Sequence, residues 1–321
     1  MNNKIVIVSG DPNSVNSELI FKVWKKLNKS LKKRVYLISN FSMLEKQFSR
    51  LKYKIKIEKV KNINENIKNL NLKVIDIDLK FTNPFKVPST SASKFVIRSL
   101  NYAHAVASNK TVTGIINCAI NKNLLRKKKI GVTEYLASKC KVKNDTEVML
   151  IRNHKLSVSP ITTHIDIKEI AKKINKNKII KKTTTIDLWF KKKFHKKPKI
   201  GILGLNPHNA ELRSNSEENK VIIPAIKNLK KNGINIKGPL ISDTIFINDY
   251  KKYDVIIGMF HDQVLSPFKS IFKFDAINIT LGLKYLRVSP DHGTAKNLIG
   301  KNKANFTSLL KCIDFVNKFG R

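Results

Sequence analysis

Three histidines follow directly after short apolar runs that are typical of buried β-strands. They are His164, His208 and His261, and they end the tracts SVSPITTH (157–164), IGILGLNPH (200–208) and VIIGMFH (255–261). Open α/β sheets collect their ligand-binding groups at the carboxyl ends of strands. Three neutral imidazoles that converge there would form a divalent-metal site with room left for a substrate. Each histidine could instead simply hydrogen-bond the backbone at its strand end, but the shared placement of all three favours the metal site.

The elements that would carry these histidines alternate between strands and helices. The predicted strands span residues 4–8, 34–39, 74–77, 111–117, 147–151, 156–161, 199–205, 255–260 and 276–280. A long helix is predicted to follow the serine-rich tract 89–93 and to run through Ala107. The lysine-dense segment 172–199 is predicted to be an exposed helix and connector. This alternation is typical of an α/β fold with a largely parallel sheet covered by helices.

Length and composition indicate a globular protein of the cytoplasm. A chain of 321 residues, 41% of them hydrophobic, can bury a substantial core and is long enough for two lobes. The three cysteines, Cys118, Cys140 and Cys312, are scattered and form no CxxC pair, so we expect reduced thiols. The first apolar run, 5–8, is too short for a signal peptide or a membrane span. No membrane anchor is therefore expected.

The formal net charge of +40 raises the question of a nucleic-acid partner. Only eight of the 63 basic residues are arginine, and the lysines are spread along the whole chain. Proteins that bind nucleic-acid phosphates usually show an arginine-rich patch, or aromatic residues interleaved with basic ones, and neither pattern is present. We therefore expect a solvated lysine surface and no specific nucleic-acid partner, although non-specific polyanion binding at low salt would follow from such charge.

Several tracts together resemble one family, the 4-hydroxythreonine-4-phosphate dehydrogenases of vitamin B6 biosynthesis. In the family's order, they are SGDP (9–12), TTHI (162–165), GLNPH (204–208), SEE (216–218), GPLISDT (238–244), YD (253–254) with MFHDQ (259–263), INITLGL (277–283) and RVSPDHGTA (287–295). The resemblance implies a two-lobed α/β/α fold of the isocitrate/isopropylmalate dehydrogenase type. It also implies a homodimer with active sites in the interdomain cleft, shared between subunits. We expect a discontinuous first lobe, 1–125 plus 285–321, and a second lobe, 126–284.

The resemblance assigns the metal ligands. His164, His208 and His261 correspond to the family's three metal-binding histidines, which come from both subunits of the dimer. Metal-bound imidazoles usually have a hydrogen-bond partner on the second nitrogen, and Asp262 and Asp243 could provide it, or could instead cap helices or lie in exposed turns. The ion would be zinc, magnesium, manganese or cobalt, and three histidines favour zinc or cobalt.

Substrate and cofactor contacts are also implied by the resemblance. The substrate contacts map to Thr133, Lys269, Asn278 and Arg287. An arginine can hold a phosphate or carboxylate through two parallel hydrogen bonds. No GxGxxG motif follows a strand. Instead, DHGTA (291–295) followed by Gly300 resembles the adenosine-binding loop of the wider fold, so that His292 and Gly293 would approach NAD, or NADP.

Oxidation of a secondary alcohol explains why a metal belongs in such a site. The hydroxyl loses its proton while a hydride passes to nicotinamide, and a divalent cation on that oxygen lowers the pKa of the hydroxyl. The β-keto acid that results loses carbon dioxide, and the same ion can stabilise the charge left behind. Lys269 and Asp262 are the candidate general bases.

The chain departs from the family pattern at four places. Val132 stands where the family usually has a histidine that contacts the substrate, so one polar contact is lost. Glycines are missing from the loops at 13–18 and 209–215, and Val264 replaces a glycine after His-Asp-Gln. The loss of glycines is expected to remove positive-φ backbone conformations and close approach to a ligand.

We therefore expect a metal- and NAD-dependent dehydrogenase that oxidises 4-phosphooxy-L-threonine, with decarboxylation to 3-amino-2-oxopropyl phosphate. One alternative is a dehydrogenase of a related four-carbon sugar-acid phosphate, such as threonate or erythronate 4-phosphate, because Val132 departs from the family. The other is a catalytically impaired homologue that binds polyanions through its lysines. His104, His154 and His195 are assigned no chemistry.

Overall fold

The chain forms two compact units of α/β structure. The structure, a computed structural model, describes residues 4–65, 67, 69–128, 131–142 and 146–320. Unit 1 comprises residues 1–140 and 283–321, and unit 2 comprises residues 141–282. The lobe boundaries expected from the sequence lie elsewhere, between residues 125 and 126 and between residues 284 and 285.

Strands and helices alternate through the described part of the chain. Its twelve strands are β1 (Ile5–Val8), β2 (Val35–Ser39), β3 (Ile57–Val60), β4 (Leu72–Asp76), β5 (Gly114–Asn117), β6 (Val148–Arg152), β7 (Ser157–Thr162), β8 (Ile200–Leu203), β9 (Ile236–Leu240), β10 (Val255–Phe260), β11 (Ile277–Leu281) and β12 (Arg287–Pro290). Its ten α-helices are α1 (Asn16–Lys26), α2 (Lys29–Arg34), α3 (Phe41–Arg50), α4 (Ser89–Ser108), α5 (Val132–Lys139), α6 (Ile170–Lys173), α7 (Lys176–Phe194), α8 (Ile223–Lys231), α9 (His261–Phe272) and α10 (Thr307–Phe319). None of these helices combines the length and apolarity that crossing a lipid bilayer requires.

Unit 1 is built on parallel strands in the order β3-β4-β2-β1-β5-β12. β1, β2 and β5 are buried along their whole length and consist almost entirely of apolar residues, as parallel strands covered on both faces require. α4 packs on these three strands. Its side chains Phe95, Val96 and Leu100 are fully buried in the core of the unit.

Unit 2 has strands in the order β11-β6-β7-β10-β8-β9. The run β7-β10-β8-β9 is parallel, whereas β6 is antiparallel to both β7 and β11. β10 lies between β7 and β8, and α9 packs against β7 and β10. Val264, Leu265 and Phe268 of α9 are buried in the core of this unit.

All nine predicted strands are present within a few residues of the expected bounds, and the largely parallel arrangement is confirmed. β3, β9 and β12 were not predicted. β3 and β9 are the outermost strands in the order, and their sequences, IEKV and IKGPL, contain no apolar run. Charged residues and proline are typical of edge strands, which explains why the apolar-run criterion missed these two.

Three helices differ from the expectation. The serine-rich tract 89–93 forms the first turn of α4 and does not precede it. α7 is not an exposed connector, because Ile179, Ile186 and Phe190 are buried where the helix packs against β6 and β7. α5, expected in the second lobe, belongs to unit 1, where it packs against α4 and buries Leu136.

Gly10 lies at a close approach between two loops of unit 1. It has a φ of +79°, and a Cβ added there would lie 2.5 Å from the carbonyl oxygen of Ala119. Gly233 has a similar φ of +75°, but no described atom lies within 4 Å of the position that a Cβ on Gly233 would occupy. The two glycines therefore separate the effect of backbone conformation from the effect of crowding.

Gly233→Ala is expected to lower the free energy of unfolding by about 1 kcal/mol, because an alanine at positive φ is strained. Gly10→Ala should lower it by roughly 2 kcal/mol more, because the methyl group also collides with a backbone carbonyl. Urea unfolding followed by circular dichroism measures both. Equal effects of the two substitutions would show that the loops around Gly10 and Ala119 are not tightly packed.

Candidate functional site

Three neighbouring parallel strands of unit 2 lead into the three histidines singled out from the sequence. His164 follows the end of β7 by two residues, and His261 follows β10 directly as the first residue of α9. His208 lies in a short turn, Pro207–Leu212, after β8. Because β7, β10 and β8 are adjacent and parallel, their carboxyl ends lie at the same edge of the sheet.

The rings of His164 and His261 lie close together at this edge. Their centroids are 5.6 Å apart, with an interplanar angle of 39°. Two imidazoles that bind one tetrahedral zinc ion, with Zn–N distances of about 2.0–2.1 Å, have centroids roughly 5 Å apart. The spacing therefore fits two ligands of a single ion.

Asp262 is the hydrogen-bond partner of His261. Its Oδ1 lies 2.6 Å from Nδ1 of His261. An imidazole that donates its Nδ1 proton to a carboxylate presents the lone pair of Nε2, which is how metal-bound histidines are usually oriented. This contact fits the orienting role considered for Asp262. Asp243 lies exposed in the turn that follows β9.

His208 stands at the start of a left-handed turn. Five consecutive residues, 208–212, have φ between +44° and +57°, and none of them is glycine. His164 also has a positive φ, +47°. Within one chain, no three His, Cys, Asp or Glu side chains of the described residues are grouped to hold a metal ion. One chain thus pairs His164 with His261 and presents His208 from a strained loop at the same edge.

A buried carboxylate anchors the loop that leads to His208. Glu218 is fully buried, and its Oε1 accepts hydrogen bonds from the N–H groups of Leu205 (2.8 Å) and Asn206 (2.9 Å). Its Oε2 accepts a third, from the side-chain amide of Asn206 at 3.0 Å. Burial alone would raise the pKa of Glu218, but these hydrogen bonds outweigh burial and hold the pKa below its ordinary value. The anionic side chain therefore fixes the start of the loop.

The other residues proposed from the sequence in unit 2 lie on α9 and β11. Asp262 and Lys269 are both exposed on α9, seven residues apart and so nearly in line along the helix. Asn278 lies in β11, and its Oδ1 is buried without a hydrogen-bond partner among the described residues. A donor on a ligand could satisfy this oxygen.

In unit 1, Arg287 is buried at the start of β12. Its Nε donates to Asn117 Oδ1 at 2.6 Å, and its Nη1 donates to Thr133 Oγ1 at 3.4 Å. Thr133 lies in the first turn of α5. Burial lowers the pKa of Arg287 to about 10, so the guanidinium remains charged at neutral pH. The structure thus brings Arg287 and Thr133 together, and it adds Asn117, which sequence reasoning missed.

The loop proposed for the cofactor follows β12. The carbonyl oxygen of Thr294 in this loop accepts a hydrogen bond from the N–H of Val15, and His292 Nδ1 lies 2.9 Å from the carbonyl oxygen of Gly293. No described atom lies within 4 Å of the position that a Cβ on Gly293 would occupy. That face of the loop is open.

His104, assigned no chemistry from the sequence, belongs to a polar cluster in unit 1. Its Nδ1 lies 3.0 Å from the hydroxyl of Tyr285 and 4.0 Å from Sγ of Cys140. Burial, together with the neighbouring charges of Lys139 and Lys284, lowers the pKa of His104, which favours the neutral imidazole. Nothing in the spacing of these residues along the chain marks the cluster.

Similarity to known proteins shows the family of this chain. The model of a family described as pyridoxal phosphate biosynthetic protein PdxA matches residues 15–316. The chain belongs to the PdxA family. It is 37% identical over 320 residues to 4-hydroxythreonine-4-phosphate dehydrogenase from Aquifex aeolicus, a match that covers 98% of each chain. The protein of the same name from a Sulfurihydrogenibium species is also 37% identical, over 97% of this chain and 96% of the relative.

Solved structures support the same fold. A crystal structure of 4-hydroxythreonine-4-phosphate dehydrogenase from Klebsiella pneumoniae matches with a TM-score of 0.85 and 26% identity, covering 100% of this chain and 98% of that one. Isocitrate dehydrogenase from Methylococcus capsulatus matches with a TM-score of 0.50 and 11% identity, covering 98% of this chain and 84% of that one. The predicted fold of the isocitrate/isopropylmalate dehydrogenase type is confirmed.

This PdxA-family chain accommodates its missing glycines in three ways. Residues 208–212 keep positive φ without any glycine, so the expectation that this conformation would be lost is wrong for that loop. In the loop 13–18, the side-chain amide of Asn16 donates to the carbonyl oxygens of Ser9 and Ala119 and links the two strand ends directly. Val264 is fully buried, and its Cγ1 would lie 2.6 Å from a Cβ at Gly258, so it fills space within the core.

The left-handed turn predicts a stabilising substitution. Glu211 is exposed and has a φ of +44°. Glu211→Gly should raise the free energy of unfolding by about 1 kcal/mol, because glycine tolerates this conformation at no steric cost. The matched control is Lys227→Gly, at an exposed position in right-handed α8, which should lower it by about 1 kcal/mol. Urea unfolding at neutral pH measures both, and a loss of stability in Glu211→Gly would argue against the turn.

The charge on Glu218 predicts a pH dependence. A carboxylate with a lowered pKa stabilises the fold above its unfolded pKa, near 4.5, and this contribution is lost as the pH falls through the folded pKa. Glu218→Gln should therefore lower the free energy of unfolding by about 2 kcal/mol at pH 7. The difference between wild type and variant should shrink below about pH 4.5, as measured by urea unfolding across the acid range. A difference that stays constant with pH would rule out the anionic anchor.

Proposed function

We propose that this chain is a metal- and NAD-dependent 4-hydroxythreonine-4-phosphate dehydrogenase of pyridoxal phosphate biosynthesis. In the proposed reaction, the substrate carbon transfers a hydride to NAD⁺ and its hydroxyl loses a proton. In the resulting β-keto acid, the bond between the carboxylate and the neighbouring amino-bearing carbon breaks, carbon dioxide leaves, and that amino-bearing carbon takes up a proton to give 3-amino-2-oxopropyl phosphate. The observation that carries the proposal is the pair His164 and His261, 5.6 Å apart, at the strand edge that also presents His208.

The three histidines are the proposed ligands of a zinc, cobalt, magnesium or manganese ion. The donor set supports this, because imidazole nitrogens suit zinc and cobalt and Asp262 is hydrogen-bonded to His261 on the side away from Nε2. When bound, such an ion lowers the pKa of a substrate hydroxyl and stabilises the charge that develops on that oxygen. The exposure of His164 and His208 supports access from solvent.

Arg287 is the proposed anion-binding residue. The guanidinium is buried and donates to the neutral oxygens of Asn117 and Thr133, and it would gain from an anionic oxygen because charge-assisted hydrogen bonds are roughly twice as strong as neutral ones. Because its pKa is about 10, Arg287 carries its charge throughout the neutral range. It would bind the phosphate or the carboxylate of the substrate together with Thr133.

The proposed substrate contacts in unit 2 are Lys269 and Asn278. The proposed proton-transfer groups are Asp262 and, again, Lys269. Asp262 already hydrogen-bonds His261, which favours an orienting role. Lys269 lies two turns further along α9, and side chains on a helix lean toward its N-terminus, which in α9 is the end that carries His261. A lysine with a flexible four-carbon stem could reach back along that face.

NAD is the proposed hydride acceptor, with His292 and Gly293 as its contacts. The open face of the loop at Gly293 supports this assignment, since a dinucleotide needs close access to backbone there. His292 and Gly293 could contact NADP in the same way. The proposed small-molecule partner is the phosphorylated threonine derivative.

A homodimer with shared metal ligands is part of the proposal. Large apolar side chains are exposed in the loops that follow β7, β8 and β9, all of which end at the histidine edge: Ile165, Ile167, Leu212, Ile241 and Ile247. Clustered exposed apolar residues are typical of protein–protein contact surfaces. A partner subunit that covers this edge would also explain why the described residues of one chain do not group three ligands.

A dehydrogenase of threonate or erythronate 4-phosphate is the second candidate, because of Val132. This side chain begins α5 and packs against the apolar core of unit 1, where it offers a ligand no hydrogen bond. A substrate with a hydroxyl in place of the amino group of 4-phosphooxy-L-threonine could use such a site.

The test is NAD⁺ reduction by purified protein with each of the four metals and the three phosphorylated four-carbon acids. Wild type should oxidise 4-phosphooxy-L-threonine best, and His208→Ala should lose roughly 100-fold or more, because a metal ion contributes several kcal/mol. Val132→His should raise kcat/KM about tenfold if it restores a charge-assisted contact. Preference for threonate or erythronate phosphate would favour the second candidate, and no turnover by either wild type or Val132→His would refute both.

A further inference from the structure

The three strand ends that carry the histidines are tied together by hydrogen bonds. At the end of β7, Thr162 Oγ1 donates to the carbonyl oxygen of Met259 in β10 at 2.7 Å. The N–H of Met259 donates to Oε1 of Gln263 at 2.6 Å, and Nε2 of Gln263 donates to the carbonyl oxygen of Gly204 at 2.7 Å. A continuous chain therefore runs from β7 through β10 to the end of β8. We call it the strand-end brace.

Gln263 supplies a connection where the backbone ladder stops. β10 and β8 pair only as far as Ile257 and Ile202, and the residues that lead to His261 and His208 lie beyond that point. Gln263 binds Met259 and Gly204, two residues further along each strand. The side chain lies tightly against β10, because a Cβ at Gly258 would be only 2.9 Å from its Oε1.

The chemistry of the brace requires an amide at position 263. Met259 offers an N–H and Gly204 offers a carbonyl oxygen, so the bridging side chain must accept one hydrogen bond and donate another. An ionised glutamate only accepts hydrogen bonds. Methionine has a similar length but provides no donor and only a weak acceptor.

We propose that Thr162 and Gln263 are positioning residues that fix where His164, His208 and His261 leave the sheet of one chain before a metal ion binds. The proposal rests on the histidine metal site proposed above. Loops with several positive-φ residues, such as 208–212, can take other conformations, and the brace holds their starting points in register. Residues that orient metal ligands typically change metal affinity 10–100-fold when they are replaced.

The experiment compares Gln263→Met with Gln47→Met. Gln47 is a matched control: it is buried in unit 1, and its Nε2 donates to the carbonyl oxygens of Pro12 at 3.0 Å and Pro84 at 2.7 Å. Zinc affinity is measured by chelator competition, and cobalt binding by its visible absorption, at a temperature at which each protein is folded. Both variants should melt at lower temperature than wild type. Only Gln263→Met should bind either metal more weakly, by about tenfold or more.

The pair Thr162→Val and Thr162→Ser provides the second arm, and it decides the question should Gln263→Met fail to fold. Valine removes the hydroxyl that binds Met259, whereas serine keeps it, so metal affinity should fall in the first and be retained in the second. Unchanged affinity in both Gln263→Met and Thr162→Val would overturn the brace while leaving the metal site intact. Failure of wild type to bind metal, or binding unaffected by His208→Ala, would overturn the proposed metal site and the brace with it.

Discussion

Parallel pairing of β7, β10 and β8 is the constraint on which the candidate site depends. Parallel neighbours must end at the same edge of a sheet, so the residues that follow these three strands emerge together whatever path the loops take. His154 shows the effect of the opposite strand direction. It also follows an apolar strand, β6, but β6 is antiparallel to β7, so its carboxyl end lies at the opposite edge from His164. Strand direction therefore separates a candidate metal ligand from a histidine of the same local pattern.

The loops at this edge are shaped by backbone strain as well as by hydrogen bonds. Five successive non-glycine residues in the left-handed region cost about 1–2 kcal/mol each, and such a turn persists only when its surroundings determine it. Glu218 holds the entry of the loop through the N–H groups of Leu205 and Asn206, and Gln263 holds Gly204 one residue earlier. The loop contains no glycine, and these two side chains fix where it begins.

The sequence predicts the strands that are apolar and misses those that are not. β1, β5 and β10 are largely apolar and almost completely buried, whereas β3 and β9 lie at the ends of the strand order and carry lysine, glycine or proline. The three histidines could be found because each one ends an apolar run. Asn117 and Gln263 could not be assigned roles, because their partners, Arg287 and Gly204, are 170 and 59 residues away in the chain.

The sequence also does not show which charged side chains are buried. Composition suggests a solvated lysine surface, yet Lys73 is fully buried in β4, where its Nζ donates to the carbonyl oxygen of Lys32 at 3.1 Å. Lys182 is likewise buried and donates to the carbonyl oxygen of Ile161 at 3.0 Å. The aliphatic stem of lysine can pack in a core while its ammonium group reaches a carbonyl oxygen, so lysine content alone does not report exposure.

Burial acts differently on the two kinds of cation, and this explains why arginine occupies position 287. Burial lowers the pKa of Lys73, and a compact ammonium group loses much of its hydration on entering a core. Burial also lowers the pKa of Arg287, but from a higher starting value. The guanidinium therefore stays charged, with a pKa of about 10. Its planar fork also reaches Asn117 and Thr133 from different nitrogens. A buried cation that must remain charged and oriented therefore requires arginine, even in a chain in which lysine is the prevailing basic residue.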